Sequence, residues 1–249
     1  MTSNNGLERS LALLWQEQAP GRRGPRAKLS VGRIARAGVE VADAEGLDAL
    51  SMQRVASWLG YTTMSLYNHV PSKDLLLEVM ADTAAGEAPE VAGFDDWREA
   101  VLHWAAELWG AFQAHPWVLR IPMDHAPMGP RQLAWLDRLL HPLLGRGLAP
   151  QEAMAGALQI IASVRGAAQV DTDIARSSDT SEASPRMDRL MADVLDSERF
   201  PALAQVYAAG ALFTPGADGA PAEASRSVLP PHVRFGLERL LDGLDSWSR

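Results

Sequence analysis

At 249 residues the chain has room for one large domain, or for a small domain and a larger one. A hydrophobic fraction of 47% with 22% charged residues is ordinary globular composition and excludes a disordered or fibrous chain; the absence of cysteine excludes disulfides, thiolate catalysis and cysteine-ligated zinc, and fits a reducing cytosol. The net charge of −8 is unevenly laid out: residues 1–36 hold seven basic and two acidic side chains, a balance of +5, which leaves −13 on the remainder.

In chain order, residues 1–28 read as a flexible basic arm, because Gly21 to Lys28 (GRRGPRAK) combines glycine, proline and like charges with no apolar period. A merely solvated tail is the alternative reading of that charge run. The chain opens with no basic start followed by an apolar run, and no stretch approaches the ~18 uninterrupted apolar residues of a membrane span. The expectation is a soluble, cytoplasmic protein with no membrane partner.

Regular structure is predicted from residue 30. Ser30 can cap a first helix with Ile34, Gly38, Val41 and Ala42 on one face, ended by Gly46. Ser51 can cap a second, short helix through Met52, Val55, Ala56 and Leu59, ended by Gly60. Thr62 or Thr63 can cap a third, whose strongly apolar residues Leu66 and Val70 are four apart and which Pro71 ends. Ser72 caps a fourth with Leu75, Leu76, Val79 and Met80 inside. Beyond the acidic stretch from Gly86 to Asp96, helices are predicted near Trp97 to His115, Pro130 to Leu144, Pro150 to Ile174, Arg186 to Leu195, Phe200 to Leu212 and Pro231 to Trp247, with loops at Ser177 to Pro185 and Thr214 to Ser227. The fold class is all-α. Its domains are a DNA-binding unit over 29–85 and a larger ligand-binding and dimerisation unit over 86–249.

Two short helices joined at a glycine, the second exposing polar residues, meet the requirements of a helix-turn-helix. Burying Leu66 and Val70 leaves Thr62, Thr63, Ser65, Asn68 and His69 free to face outward, and Asn68 can pair with adenine through two hydrogen bonds. No Arg or Lys lies in that helix, so phosphate attraction falls to Lys73, Arg33, Arg36 and the arm. A plain three-helix bundle fits the periodicity as well.

The runs Ala44-Glu45-Gly46-Leu47, Leu50-Ser51-Met52, Val55-Ala56, Leu59-Gly60, Leu66-Tyr67-Asn68-His69-Val70 and Ser72-Lys73-Asp74-Leu75-Leu76 strongly resemble the N-terminal domain of TetR-family regulators. The resemblance implies that Gln53, Thr62, Thr63, Met64, Ser65 and Asn68 face bases, and that Tyr67, His69 and Lys73 face phosphates. Gln53 stands where the tetracycline repressor has a basic residue, so its operator sequence does not transfer. Asp96-Trp97-Arg98, His115-Pro116, Gly129-Pro130, Gly147-Leu148-Ala149 with Glu152-Ala153, and Phe235-Gly236-Leu237-Glu238 with Gly243-Leu244 resemble the family's tetracycline-repressor-type C-terminal domain, so that the likeness spans most of residues 30–246.

The resemblance implies a homodimeric repressor that binds a palindromic double-stranded DNA operator and is released by a small-molecule effector. An adaptable apolar or aromatic pocket is suggested by eight Trp and nine Met against few Phe or Tyr. Its candidate lining is Trp104, Leu108, Phe112, His115, Trp117, Met123, Trp135 and Leu139, each of which reads first as plain core, with Arg165 and Gln169 to orient a ligand or, equally, to satisfy backbone groups or sit exposed. Carried across without gaps, the tetracycline repressor's register puts His115 and Asp171 at its magnesium–drug site, although the rest of that set is not evident. No metal or cofactor is assigned. Ala153, Gly156, Ala157, Ile160, Ile161, Val164, Ala167 and Ala168 present small and branched residues that, paired with Leu237, Leu240, Leu241 and Leu244, form either an intersubunit four-helix bundle or packing within one chain.

Two rival classes stand beside the regulator. An enzyme lacks support, since no HExxH, G-x-S-x-G or P-loop occurs and no His pair has helical ligand spacing. A helical protein-interaction module that no longer binds DNA would suit the acidic balance and the Lys- and Arg-free third helix.

Overall fold

Hydroxyl side chains set the starts of the first helices. The computed structural model describes residues 2–15, 29–122, 126–177, 194–195, 198–210 and 228–247, with no strand among the described residues. Helices α2 (Val31–Glu45), α3 (Met52–Leu59), α4 (Thr63–Tyr67) and α5 (Lys73–Ala85) begin where Ser30, Ser51, Thr62 and Ser72 accept from the backbone N–H of Arg33, Arg54, Ser65 and Leu75. Gly60 ends α3 at φ 74°, a left-handed conformation that a Cβ would penalise, and so allows the tight turn into α4. Ile34, Val41, Val55, Leu66, Val70, Leu76 and Met80 are fully buried together and form the first core.

The arm expected over residues 1–28 needs correction. Helix α1 (Thr2–Trp15) packs on α5, buries Leu14 in the first core, and lets the Trp15 indole donate to the Met128 carbonyl at 3.1 Å. Leu7, Leu11 and Leu14 recur at helical spacing, an apolar period that the basic-arm reading passes over. Residues 16–28, GRRGPRAK included, lie outside the described residues.

The second body consists of α6 (Trp97–Ala114), a 3-10 turn (Pro116–Arg120), α7 (Pro130–Gly145), α8 (Pro150–Ser177), α9 (Pro201–Ala208) and α10 (Pro231–Trp247). Trp104, Leu139, Leu143, Ile160, Leu237 and Leu241 are its largest fully buried side chains. The small-residue face resolves as packing within one chain: Ala153, Gly156, Ala157, Ile160, Val164 and Ala168 are buried in the same core as Leu237 and Leu241, so that face is not the intersubunit bundle. Most of the expected helix from Arg186 to Leu195 and the expected loops lie outside the described residues.

Candidate DNA-reading surface and the junction that carries it

Leu66 and Val70 are the buried anchors of the reading surface, so the rest of the segment turns outward. Thr62, Met64, Tyr67, Asn68, Gln53, Arg33 and Lys73 are exposed, whereas Thr63, Ser65 and His69 are half-buried. Met64, at 69% exposure, offers an apolar tip suited to a thymine methyl rather than a hydrogen-bonding group. The hydroxyls of Thr62 and Ser65 lie 2.9 Å apart and are bonded to each other while Thr62 caps α4. That leaves Asn68 as the exposed amide of the segment.

Of the cations around this surface, Arg54 is committed within the head. Arg54 forks onto both oxygens of Glu45, lies 5.2 Å from the Trp58 ring centroid, and holds the Glu45 carboxyl below the usual range, chiefly through the hydrogen bond. It therefore ties α2 to α3 rather than reaching outward. Arg36 and Lys73 are exposed, and Arg33 lies 5.8 Å from the centroid of Tyr61.

Four polar ties join this unit to the helices behind it. Asp43 of α2 accepts from His115 Nδ1 at 2.8 Å and from the Trp117 indole at 2.6 Å on one oxygen. Asp48 is gripped by both terminal nitrogens of Arg120 at 3.1 and 2.8 Å, which pulls its carboxyl pKa down. Asp82 of α5, 3% exposed, accepts the backbone N–H of Arg131 and Gln132 at 3.0 and 3.1 Å, capping α7 from another helix. The Trp135 indole donates to the Ala85 carbonyl at the end of α5, and Trp104 in turn donates to the Trp135 carbonyl. Trp117 is also buried among the side chains of the first core, as a wedge from the second body into the first.

The expected pocket lining is mostly core. Trp104, Phe112, Trp135 and Leu139 are buried and Leu108 packs half-buried against them. Arg165 donates to the Leu119 carbonyl at 3.2 Å beside the Phe112 ring, and burial lowers its pKa; Gln169 donates to Asp173 at 2.9 Å. Met123 lies outside the described residues. A cleft of about 760 Å³ opens between the two bodies and is reached from the expected set only by Trp117 among the described residues. His115 is engaged by Asp43, and among the described residues no three His, Cys, Asp or Glu side chains gather as metal ligands.

A capped three-helix head whose third segment is short, buried on two apolar residues and otherwise outward-facing defines a helix-turn-helix protein, here mounted on a larger helical body. The chain belongs to the TetR family: residues 34–80 match the model for bacterial regulatory proteins of the tetR family, and residues 88–247 match the tetracyclin repressor-like C-terminal domain. It is similar to the HTH-type transcriptional repressor DrrR1 of Streptomyces coeruleorubidus, 33% identical over 98% of this chain and 88% of that protein. The structure is also similar to Streptomyces coelicolor ActR in complex with actinorhodin, with 27% identity, a TM-score of 0.69, and 88% of this chain and 96% of that one covered. Mycobacterium smegmatis BioQ, 20% identical at a TM-score of 0.56 over 88% and 99% of the chains, shares the fold. No helix among the described residues is long and apolar enough to cross a membrane.

The junction residues Asp43, Asp48, Asp82 and Arg120 escape the sequence reading. Only Asp82 leaves a trace, as a carboxylate three residues after Val79, where the helical period calls for an apolar side chain.

Proposed function

We propose that the chain is a homodimeric, cytoplasmic repressor that occupies a palindromic operator and leaves it when an apolar or aromatic small molecule binds. The observation that carries this reading is the junction. The reading head is fastened to the second body by hydrogen bonds with definite geometry, so a ligand that prefers another placement of the two lowers DNA affinity by its differential affinity. That ActR is solved with actinorhodin supports an aromatic effector. The reading assigns the chain no reaction.

A second copy of the chain suits the outer ridge of α8. Met154, Leu158, Ala162, Gly166, Val170 and Ile174 follow one another every four residues and are all exposed, Leu158 at 57%. Such an i±4 ridge favours helix crossings near −50° when two of them interdigitate, and Phe235 of α10, 63% exposed, adds apolar area. Leu158→Arg should therefore convert a dimer to a monomer in sedimentation while leaving the helical content unchanged; a variant that stays dimeric moves the interface elsewhere.

The DNA-facing set is Gln53, Thr62, Thr63, Met64, Ser65 and Asn68 towards bases, and Arg33, Tyr67, His69 and Lys73 towards phosphates. Fluorescence anisotropy on the chain's own upstream duplex, across a salt series and against a scrambled duplex, tests it. Lys73→Ala should weaken binding to both duplexes and flatten the salt slope by about 1 per protomer. Asn68→Ala should spare the scrambled duplex and remove about 1–3 kcal/mol of discrimination at one base pair per half-site. Equal affinity for the two duplexes in the unaltered protein, with no salt dependence, would leave the interaction-module reading in its place.

A further inference from the structure

The cleft between the two bodies has the size of a site for a drug-sized molecule, at about 760 Å³. Its walls come from both sides of the junction: Asp43 and Leu47 from the reading head, Trp117 and Arg120 from the 3-10 turn, Asp171 and Arg176 from α8. The charges on these walls are unevenly matched. Arg120 is spent on Asp48, and Arg176 pairs with Asp173 at 3.2 Å. Asp43 accepts from His115 and Trp117. Asp171 is different: it is half-buried on the cleft wall, and among the described residues no hydrogen bond or ion pair reaches its carboxylate. Burial raises its pKa and the charge of His232 lowers it, so among the described residues this carboxylate stands on the wall without a hydrogen-bonded partner.

We infer that the cleft binds an amphipathic amine, with the apolar body of the ligand against Leu47 and Trp117 and its protonated amino group on Asp171. This deepens the effector-released reading and takes its regulatory meaning from it. An occupant would touch α2 and α8 together. Its affinity then depends on how the head sits on the body, which is the differential that changes operator affinity.

The test uses the full chain without DNA and two fluorescent probes that differ in one charge. Dansylcadaverine carries a naphthalene body on a five-carbon ammonium chain; N-pentyl dansylamide has the same body and no amine. Dansylcadaverine should bind at least about tenfold more tightly, as a charge-assisted bond in a half-buried site implies. In Asp171→Asn that preference should fall to about twofold or less. Ala175→Trp, which fills the cleft from an exposed position, should block both probes. Equal binding of the two probes, an undiminished preference in Asp171→Asn, or full binding to Ala175→Trp each overturns the site. Operator binding is measured separately: bound dansylcadaverine should weaken it about fivefold or more in the unaltered protein and not in Asp171→Asn. Operator binding indifferent to the bound probe overturns the regulatory role, whereas no operator binding at all defeats the repressor reading and leaves the amine site to stand on the DNA-free titration.

Discussion

Gly129→Ala should cost about 2–4 kcal/mol of folding stability, a large loss for a methyl group added at a helix terminus. A Cβ built on Gly129 would lie 2.0 Å from Asp82 Oδ1, far inside any real contact. That oxygen is the shared acceptor for the first free N–H groups of α7, which has no side-chain cap of its own. Pushing the carboxylate aside leaves two donors unpaired and a buried charge without its hydrogen bonds, both of which are expensive. Asp82→Ala should lose about 1–3 kcal/mol by removing the same acceptor. In a double-mutant cycle the alanine at 129 should be nearly silent once Asp82 is gone; strictly additive denaturation midpoints would defeat this account.

Asp82 also predicts a direction in pH. Burial raises its carboxyl pKa more than the two backbone N–H groups and the Arg131 guanidinium lower it. A folded-state pKa above the unfolded one means that ionisation is penalised on folding, so this group's stabilisation is complete below the ordinary carboxylate range and is lost as pH rises through the raised value. Asp82→Asn keeps an acceptor for α7 but cannot titrate. The stability of the unaltered protein relative to Asp82→Asn should therefore increase as pH falls into the carboxylate range, by urea midpoints at each pH. A constant or shrinking difference would show that burial does not dominate at this carboxylate.

What the sequence makes legible here is what is local. Ser30, Ser51, Thr62 and Ser72 each act on an N–H three residues away, and Leu66 and Val70 sit on one face by helical geometry, so caps, helix order and the outward face of α4 need no knowledge of the rest of the fold. The junction is nonlocal. Asp43 meets partners 72 and 74 residues away, and Asp82 caps a helix about 50 residues on, which no spacing rule encodes. The expected pocket lining is ambiguous for a related reason. A 3.6-residue period through Trp104, Leu108 and Phe112 says that a face is apolar, and both a packed core and a ligand cavity require that. The same ambiguity governs α8, where the small residues turn inward and the ridge from Met154 to Ile174 stays open.

Asp43→Ala should weaken operator binding about tenfold while changing the melting temperature little. The aspartate holds the wedge: its single oxygen accepts from His115 on the end of α6 and from the indole of Trp117, which is 4% exposed inside the first core. Without it the indole N–H has no acceptor at that position, and leaving such a donor unpaired costs about 1–3 kcal/mol of the docked arrangement. Both reading heads of a dimer must keep one spacing to engage two half-sites, so looser docking acts twice on one duplex. Asp43→Asn preserves an acceptor and should stay within about threefold of the unaltered protein. Asp48→Ala is the contrasting control, because the Asp48–Arg120 pair is largely exposed and screened by solvent. Anisotropy titrations of the three variants on one operator duplex decide the matter. If Asp43→Ala binds as tightly as Asp48→Ala, the wedge does not set the spacing of the heads; if it alone is weak, the coupling passes through one carboxylate oxygen between α2 and the 3-10 turn.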